Sequence, residues 1–341
     1  MHLFTSKFVT RPEYVKELPG SVSTPRGFGA SGIAAGLKKS GKLDLGLLVS
    51  KAPCKSAALY TPNAAAAAPV QVCRQETSKA AIQGIVVNSG SANACTGEDG
   101  LADARRMVEL TSRAMGIPKE LVAVASTGVI GHKIPMNLIE KGIEAAAISM
   151  SEFGGSEFSE AIRTTDKIEK HGAVEVELSA GTVLIGACAK GAGMIAPNMA
   201  TLLSFVTSDV DAPSGLLQEL LKVAAARSFN SMSVDGDMST NDCLFLMANG
   251  MSGVKLEPGS DDTKLFASAL EAVCKGLALK MVADGEGATK VVSLNVKGAA
   301  SDEEAVFVAR AVSNSPLVRT AFYGRDSNWG RLMASASVAL S

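Results

Sequence analysis

The sequence offers few of the side chains that usually activate a nucleophile. Its three histidines, His2, His132 and His171, stand at the terminus, at a loop-to-helix junction and in a charged turn, positions that favour the surface. No G-x-S-x-G motif is present, and no cysteine has the flanking residues of a thiol protease. A Ser-His-Asp or Cys-His site is therefore not predicted.

A threonine at a new chain N-terminus needs no histidine, because it carries its own base. The α-amine of such a residue has a pKa of about 7.7–8.0 in model compounds, so near pH 7 a useful fraction can take the proton from the adjacent Oγ. Thr201 follows the irregular residues 197–200 and opens an apolar run. Its hydroxyl could attack the Ala200 carbonyl, and hydrolysis of the resulting ester would free Thr201. Threonine before a strand is common, so the spacing alone leaves this hypothesis open.

Three polar segments resemble phosphate-binding or calcium-binding loops, but none of them matches such a motif. Residues 190–193 and 285–290 are rich in glycine, but neither fits a P-loop or a strand–G-x-G-x-x-G–helix frame. Residues 235–242, DGDMSTND, resemble part of a calcium loop but have Leu246 where the twelfth-position glutamate belongs. Plain turns stabilised by Asx side chains are predicted instead, and no metal or cofactor is predicted.

The composition describes a globular protein with no electrostatic preference for polyanions. The chain has 341 residues, 33 basic and 34 acidic, with a net charge of -1, which gives no footprint for nucleic acid or an anionic membrane. It has no 18-residue apolar run, so no membrane span is expected. Six widely spaced cysteines without C-x-x-C spacing predict small buried side chains in a reducing compartment: Cys54, Cys73, Cys95, Cys188, Cys243 and Cys274.

The N-terminus bears on localisation. Residues 1–12 lack the apolar core of a secretory signal. We therefore expect an intracellular, cytoplasmic protein. The same residues are free of acids and carry a few basic and hydroxyl side chains, which keeps the mitochondrial matrix or a plastid as alternatives.

The hydrophobic pattern mixes strand and helix segments. The predicted strands are 43–49, 85–87, 122–125, 174–178 with 182–189 as a hairpin, 202–207, 243–249, 291–297 and 317–323. The predicted helices are 99–115, 136–150, 214–229, 262–283 and 302–314. Residues 88–93 and 126–131, which follow two of the strands, are predicted loops of small polar residues. This mixture predicts an α/β or α+β layered fold with partly antiparallel sheets.

Eight blocks in order resemble a known family, the ornithine acetyltransferases (glutamate N-acetyltransferases of arginine biosynthesis). They are NSGSANACTG at 88–97, STGVIG at 126–131, TTD at 164–166, KGAGMI at 190–195, PNMAT at 197–201, DGDMSTND at 235–242, DGEGATK at 284–290, and YGRD with NWGR at 323–331. Eight blocks in the family's order, spread nearly end to end, are far more specific than any one of them.

The resemblance implies a self-cleaving enzyme with an N-terminal-nucleophile type of fold, an α/β sandwich. Cleavage between Ala200 and Thr201 would give an α chain, 1–200, and a β chain, 201–341, which assemble as an α2β2 heterotetramer. The implied reaction moves an acetyl group from N-acetylornithine to glutamate through an acetyl-threonine. Some members of the family also use acetyl-CoA as the donor.

The resemblance also implies a role for each site residue. Thr201 matches the nucleophile, and Thr127 with Gly128 matches the oxyanion hole. Lys190 and Glu286 match substrate-binding charges, suited to a carboxylate and an ammonium. The substrate-binding threonine is either Thr164 or Thr165, because the alignment is ambiguous by one residue there.

Some positions depart from the family pattern. Ala196, Met238 and Lys167 replace the usual histidine, threonine and small hydroxyl residue. The resemblance also implies a C-terminal tail beyond the NWGR block that supplies further substrate contacts, and this sequence ends at Ser341. Two alternatives to the acetyltransferase therefore stay open: a related N-terminal-nucleophile amidohydrolase or aminopeptidase, and a non-catalytic chain.

Overall fold

The computed structural model describes residues 2–196 and 202–340. Within these ranges the strands are β1 (Val15–Leu18), β2 (Phe28–Ile33), β3 (Leu45–Ser50), β4 (Lys55–Tyr60), β5 (Gly84–Ser91), β6 (Val122–Val129), β7 (His171–Leu178), β8 (Gly181–Lys190), β9 (Leu203–Ser208) and β10 (Cys243–Ala248). The helices are α1 (Ala68–Glu76), α2 (Gly97–Met115), α3 (Met136–Ile148), α4 (Gly155–Ala161), α5 (Ser214–Ala226), α6 (Asp261–Ala283), α7 (Asp302–Asn314), α8 (Pro316–Gly324) and α9 (Trp329–Ala339).

The described strands form two mixed sheets. The larger has the order β1-β7-β8-β9-β10-β4, and the smaller has the order β2-β3-β5-β6. The pairs β5–β6 and β9–β10 are parallel, and the other pairs are antiparallel. Each parallel pair is joined through a helix, α2 or α5, because parallel neighbours need a crossover connection. The predicted layered α/β fold with mixed, partly antiparallel sheets is confirmed.

The two sheets pack through alternating side chains. On β10, Phe245 and Met247 point into a core shared with the smaller sheet, whereas Leu244 and Leu246 point into a second core with α5 and α6. Phe158 of α4 packs edge-on against Phe205 of β9, with ring centroids 5.0 Å apart. Helices α1, α2 and α3 pack against the smaller sheet. Both sheets are thereby held rigidly enough to position residues at their ends.

Three predictions about local structure were wrong. Residues 317–323 are helix α8 and not a strand, because Ser315 caps the first turn by accepting the Val318 N–H and Pro316 fits the first helical position. Residues 291–297 pair with no described strand and have no regular structure. The predicted loops after residues 87 and 125 begin later than expected. Asn88 to Ser91 continue strand β5 and pair with residues of β6, which itself extends to Val129.

Candidate active site

A cavity of about 620 Å³ opens where β5, β6 and β8 end. It collects six of the predicted site residues from distant parts of the chain: Thr127, Gly128, Thr164, Thr165, Lys190 and Glu286. The seventh, Thr201, and the preceding Ala200 lie outside the described residues. None of the three histidines is among the described residues that line this cavity.

Gly128 lies at the edge of this cavity in a conformation that excludes other residues. Its φ is +136°, and a Cβ built there would lie 2.3 Å from the carbonyl carbon of Gly90. Strand β6 therefore passes β5 at backbone contact distance here. Only glycine has both the conformational freedom and the small size that this approach requires.

A set of amide and hydroxyl side chains fixes the strand ends around Thr127. Asn241 donates from Nδ2 to the carbonyls of Ala92, at 2.6 Å, and Ser126, at 2.8 Å. Ser126 Oγ donates to Asn88 Oδ1 at 2.6 Å. Asn241 is buried, so these bonds are shielded from competition with water. The segment 239–242 is thus tied to both strands that carry the cavity.

Lys190, the last residue of β8, reaches across to Thr127. Its Nζ donates to Thr127 Oγ1 at 3.0 Å, and both side chains are buried. Burial lowers the pKa of Lys190, and the carboxylates of Asp166 and Asp242 act against that shift. Because the lysine occupies a lone pair of the threonine oxygen, the hydroxyl proton of Thr127 is left to donate to another group.

Thr164 and Thr165 stand on the loop after α4, and both are exposed. The turn is held by the buried Asp166, whose carboxylate accepts the Thr164 N–H at 3.1 Å and the Gly191 N–H at 2.7 Å. Burial alone would raise the pKa of Asp166, but Lys190 and Lys170 outweigh it and lower the pKa to about 2.

Glu286 lies at the exposed rim of the cavity. Its backbone N–H donates to the Ala192 carbonyl at 2.7 Å. A Cβ built on Gly193 would lie 2.8 Å from the Glu286 carboxyl carbon, so the glutamate side chain lies directly over that glycine. The absence of a side chain at residue 193 makes room for the carboxylate.

Two features of the site were not predicted from the sequence. Lys38, Lys42 and Arg163 also line the cavity, together with Glu160, which pairs with Arg163; burial lowers the pKa of Lys38 to about 8 against Asp44 and Glu160. The second feature is Asp242, which adjoins the lining residue Asn241 and whose buried carboxyl group accepts the Leu202 N–H at 2.9 Å. Burial raises its pKa well above the ordinary value, against the lowering effects of the Leu202 N–H and Lys190.

The expectations for metals and cysteines can be compared with the described residues. In ranges 2–196 and 202–340 no group of three or more histidine, cysteine, aspartate or glutamate side chains has the geometry to hold a metal ion. Residues 235–237 form the predicted Asx turn, with Asp235 Oδ1 accepting the Asp237 N–H at 3.0 Å. Cys95 is exposed, contrary to the expectation that all six cysteines are buried; the other five are buried. Cys95 has a positive φ of +57° and lies just before helix α2.

The fold and the cavity together define a layered α/β protein with a cavity of small-molecule size lined by polar and charged side chains. Within the described ranges, no helix is both long enough and apolar enough to cross a membrane.

Comparison with known proteins identifies the family. The ArgJ family model matches residues 29–339. The chain is 49% identical over 321 residues to the arginine biosynthesis bifunctional protein ArgJ of Symbiobacterium thermophilum, covering 93% of this chain and 80% of that protein. The ArgJ protein of Bacillus anthracis is 47% identical over 318 residues, covering 93% and 78%. This chain belongs to the ArgJ family.

One solved structure of the family supports the fold. The crystal structure of the arginine biosynthesis bifunctional protein ArgJ from Bacillus halodurans matches with a TM-score of 0.51 at 41% identity, and it covers 55% of this chain and 98% of that chain. The family resemblance drawn from the eight blocks is therefore confirmed.

Proposed function

We propose that the protein is an acetyltransferase that moves an acetyl group from N-acetylornithine to glutamate and forms ornithine and N-acetylglutamate. One observation carries the proposal: the cavity brings Thr127 and Gly128 of β6 together with Lys190 of β8 and Glu286 of the loop after α6. These are the residue types that an acetyl transfer between amino acids needs, namely oxyanion donors, a cation for a carboxylate and an anion for an ammonium.

The oxyanion hole consists of the Thr127 hydroxyl and the Gly128 N–H. Lys190 already donates to Thr127 Oγ1 at 3.0 Å, so the hydroxyl proton is directed to another acceptor. A positioned donor of this kind is worth roughly 2.7–4 kcal/mol in the transition state. The backbone approach of Gly128 to Gly90 fixes the position of the second donor.

Two residues of opposite charge in the cavity lining hold the substrate charges, the buried Lys190 and the exposed Glu286. Lys190 attracts a substrate carboxylate, and Glu286 at the rim attracts the side-chain ammonium of ornithine. One of the exposed threonines, Thr164 or Thr165, hydrogen-bonds the substrate from the turn held by Asp166. The pairing of a buried cation with a rim anion favours zwitterionic amino acids over neutral compounds.

Thr201 supplies the nucleophile after the chain cleaves itself between Ala200 and Thr201. The residues on either side are firmly anchored, since Lys190 of β8 pairs with Leu203 of β9 in the larger sheet. An α chain, 1–200, and a β chain, 201–341, would therefore stay together after cleavage, and we expect two copies of each in an α2β2 assembly. The match to the Bacillus halodurans structure covers 98% of that chain but only 55% of this chain. A shorter chain of this kind is expected when members of the family are cleaved in two.

Transfer then takes two steps. The Thr201 Oγ attacks the acetyl carbonyl while its proton passes to the Thr201 α-amine; the tetrahedral intermediate collapses, and the departing ornithine amine takes up that proton. The neutral α-amine of glutamate next attacks the acetyl ester and loses a proton to the Thr201 α-amine, which returns that proton to the departing Thr201 Oγ as the ester bond breaks. Acetyl-CoA can replace N-acetylornithine as donor in the first step. We place the enzyme in the cytoplasm, with the mitochondrial matrix or a plastid as alternatives.

A transfer assay tests the proposal. Purified protein is incubated with N-acetylornithine, with and without glutamate, and ornithine and N-acetylglutamate are quantified. The proposal expects N-acetylglutamate in equal amount to ornithine and little ornithine without glutamate. Steady ornithine release into water alone would identify an amidohydrolase instead. No turnover with either acceptor would indicate a non-catalytic chain.

A further inference from the structure

A buried lysine with two carboxylate partners lies behind the cavity. Lys170 has no exposed side-chain area, and its Nζ is 2.7 Å from Asp166 Oδ1 and 2.6 Å from Asp284 Oδ2. Lys170 is not among the residues that line the cavity. Its ammonium therefore acts on the protein and does not touch the substrate.

Each carboxylate of this cluster holds a different substrate-binding segment. Asp166 accepts the N–H groups of Thr164 and Gly191, the latter next to Lys190. Asp284 accepts the Lys167 N–H at 2.9 Å and stands two residues before Glu286. Lys170 thus joins the threonine turn, the end of β8 and the glutamate loop at one point.

We propose that Lys170 is a positioning residue that sets the distance between Lys190, Glu286 and the Thr164–Thr165 turn, and so determines how well the cavity fits a zwitterionic amino acid. The role of Lys170 rests on the proposed function, in which Lys190, Glu286 and the Thr164–Thr165 turn bind the substrate.

Two observations distinguish positioning from simple stabilisation. The backbone of Lys170 is anchored independently of its side chain, since its carbonyl accepts the Ala189 N–H at 2.8 Å. A buried ion pair contributes little net stability, because the cost of desolvation offsets most of the attraction between its charges. Such a pair can, however, hold the groups around it in one geometry. Burial would raise the pKa of Asp166, but Lys190 and Lys170 outweigh it and lower the pKa to about 2, so Asp166 stays ionised near neutral pH.

The decisive variants are at Asp284, since they leave the Lys170–Asp166 pair in charge balance. Asp284→Ala releases the glutamate loop from Lys170, and Asp284→Asn keeps an acceptor for both Lys170 and the Lys167 N–H. We expect Asp284→Ala to raise the KM for N-acetylornithine roughly tenfold or more, because a misplacement of about 1 Å can cost up to roughly 10²-fold. The kcat should change much less, and Asp284→Asn should restore most of the lost affinity. Lys170→Met should raise the KM further where the variant is recovered folded.

Asp261→Ala is the matched control. It removes an exposed aspartate paired with Lys264 at the other end of the same helix, and its KM should equal that of the wild type. A folded Asp284→Ala protein, judged by circular dichroism and a cooperative thermal transition, with wild-type KM would overturn the proposal. The proposal would also be overturned if the activity of Asp284→Ala fell only in proportion to the fraction of folded protein, with no change in KM. Failure of the wild type to transfer acetyl groups would instead refute the proposed function, so the two failures are distinguishable.

Discussion

The Nζ of Lys190 lies 3.0 Å from the hydroxyl oxygen of Thr127, and both side chains are buried. A buried cation beside a hydroxyl makes that hydroxyl a better donor toward developing negative charge. In the proposed mechanism Lys190 therefore serves both the oxyanion hole and a substrate carboxylate.

Removal of the Thr127 hydroxyl tests this relationship. Thr127→Val keeps the shape of the side chain and removes its donor, so we expect kcat to fall roughly 10²–10³-fold with a smaller change in KM. Steady-state kinetics of acetyl transfer measure it. Thr182→Val, at an exposed position on β8, is the control and should behave as the wild type. Undiminished kcat in Thr127→Val would remove Thr127 from the oxyanion hole.

A methyl group at residue 193 should displace Glu286. Because the neighbouring atoms belong to the far end of a flexible side chain, Gly193→Ala should cost little stability while it moves the carboxylate from its place. We expect a raised KM for N-acetylornithine, by about tenfold, and a thermal midpoint near that of the wild type. Kinetics and thermal unfolding on the same preparation check both. An unchanged KM would show that Glu286 does not bind the substrate.

A methyl group at residue 128 should act on the fold as well as on catalysis. The atoms it would meet are backbone atoms of Gly90 and Ser91, which cannot move without separating β5 from β6. We expect Gly128→Ala to lower the free energy of unfolding by about 1–3 kcal/mol or more and to abolish transfer.

Gly253→Ala separates this steric effect from the cost of the backbone conformation alone. Gly253 also has a positive φ, +76°, but nothing lies within 4 Å of its Cβ position. It should lose only about 1 kcal/mol and keep full activity. Equal losses in the two variants would contradict the close-approach argument.

Asp166 should make stability depend on acidic pH. Its folded-state pKa, about 2, lies below the ordinary value because Lys190 and Lys170 outweigh the effect of burial. A lowered carboxyl pKa contributes stability above the unfolded pKa, and the contribution is lost as pH falls through the folded pKa. The window runs from about pH 4 to about pH 2, and the contribution is on the order of 2–3 kcal/mol. Thermal midpoints of the wild type and Asp166→Asn should therefore differ at pH 6 and converge toward pH 2. A constant difference across this range would contradict the assignment.

Local periodicity predicts much of this fold. The apolar spacing in α2 and the alternation in the β7–β8 hairpin are signals within a few residues, and the structure agrees with both. Residues 317–323 were misjudged because a short apolar run fits a strand as well as a helix; the Ser315 cap and Pro316 were the signals that could have decided it. Residues 291–297 alternate like a strand, but a strand also requires a partner, which local sequence does not specify.

The sequence predicts some residues of the site but not others. Thr127, Gly128, Lys190 and Glu286 were found through family blocks, and the cavity brings them together. The ion pair between Lys170 and Asp284 joins residues 114 positions apart, and a local sequence pattern cannot predict such a contact. The sequence of residues 235–242 predicts a turn, and nothing in it shows that the Asp242 carboxyl group is buried against the Leu202 N–H.

We propose that Thr201 becomes an N-terminal nucleophile that carries the acetyl group. The most direct measurement is mass spectrometry of the protein after incubation with N-acetylornithine in the absence of glutamate, followed by peptide mapping. We predict two chains, the smaller beginning at Thr201, with one acetyl group on the Thr201 peptide that disappears when glutamate is added; Thr201→Ala should remain one unmodified chain. A wild-type protein that stays as a single chain, or one that turns over without acetylation of Thr201, would contradict the mechanism.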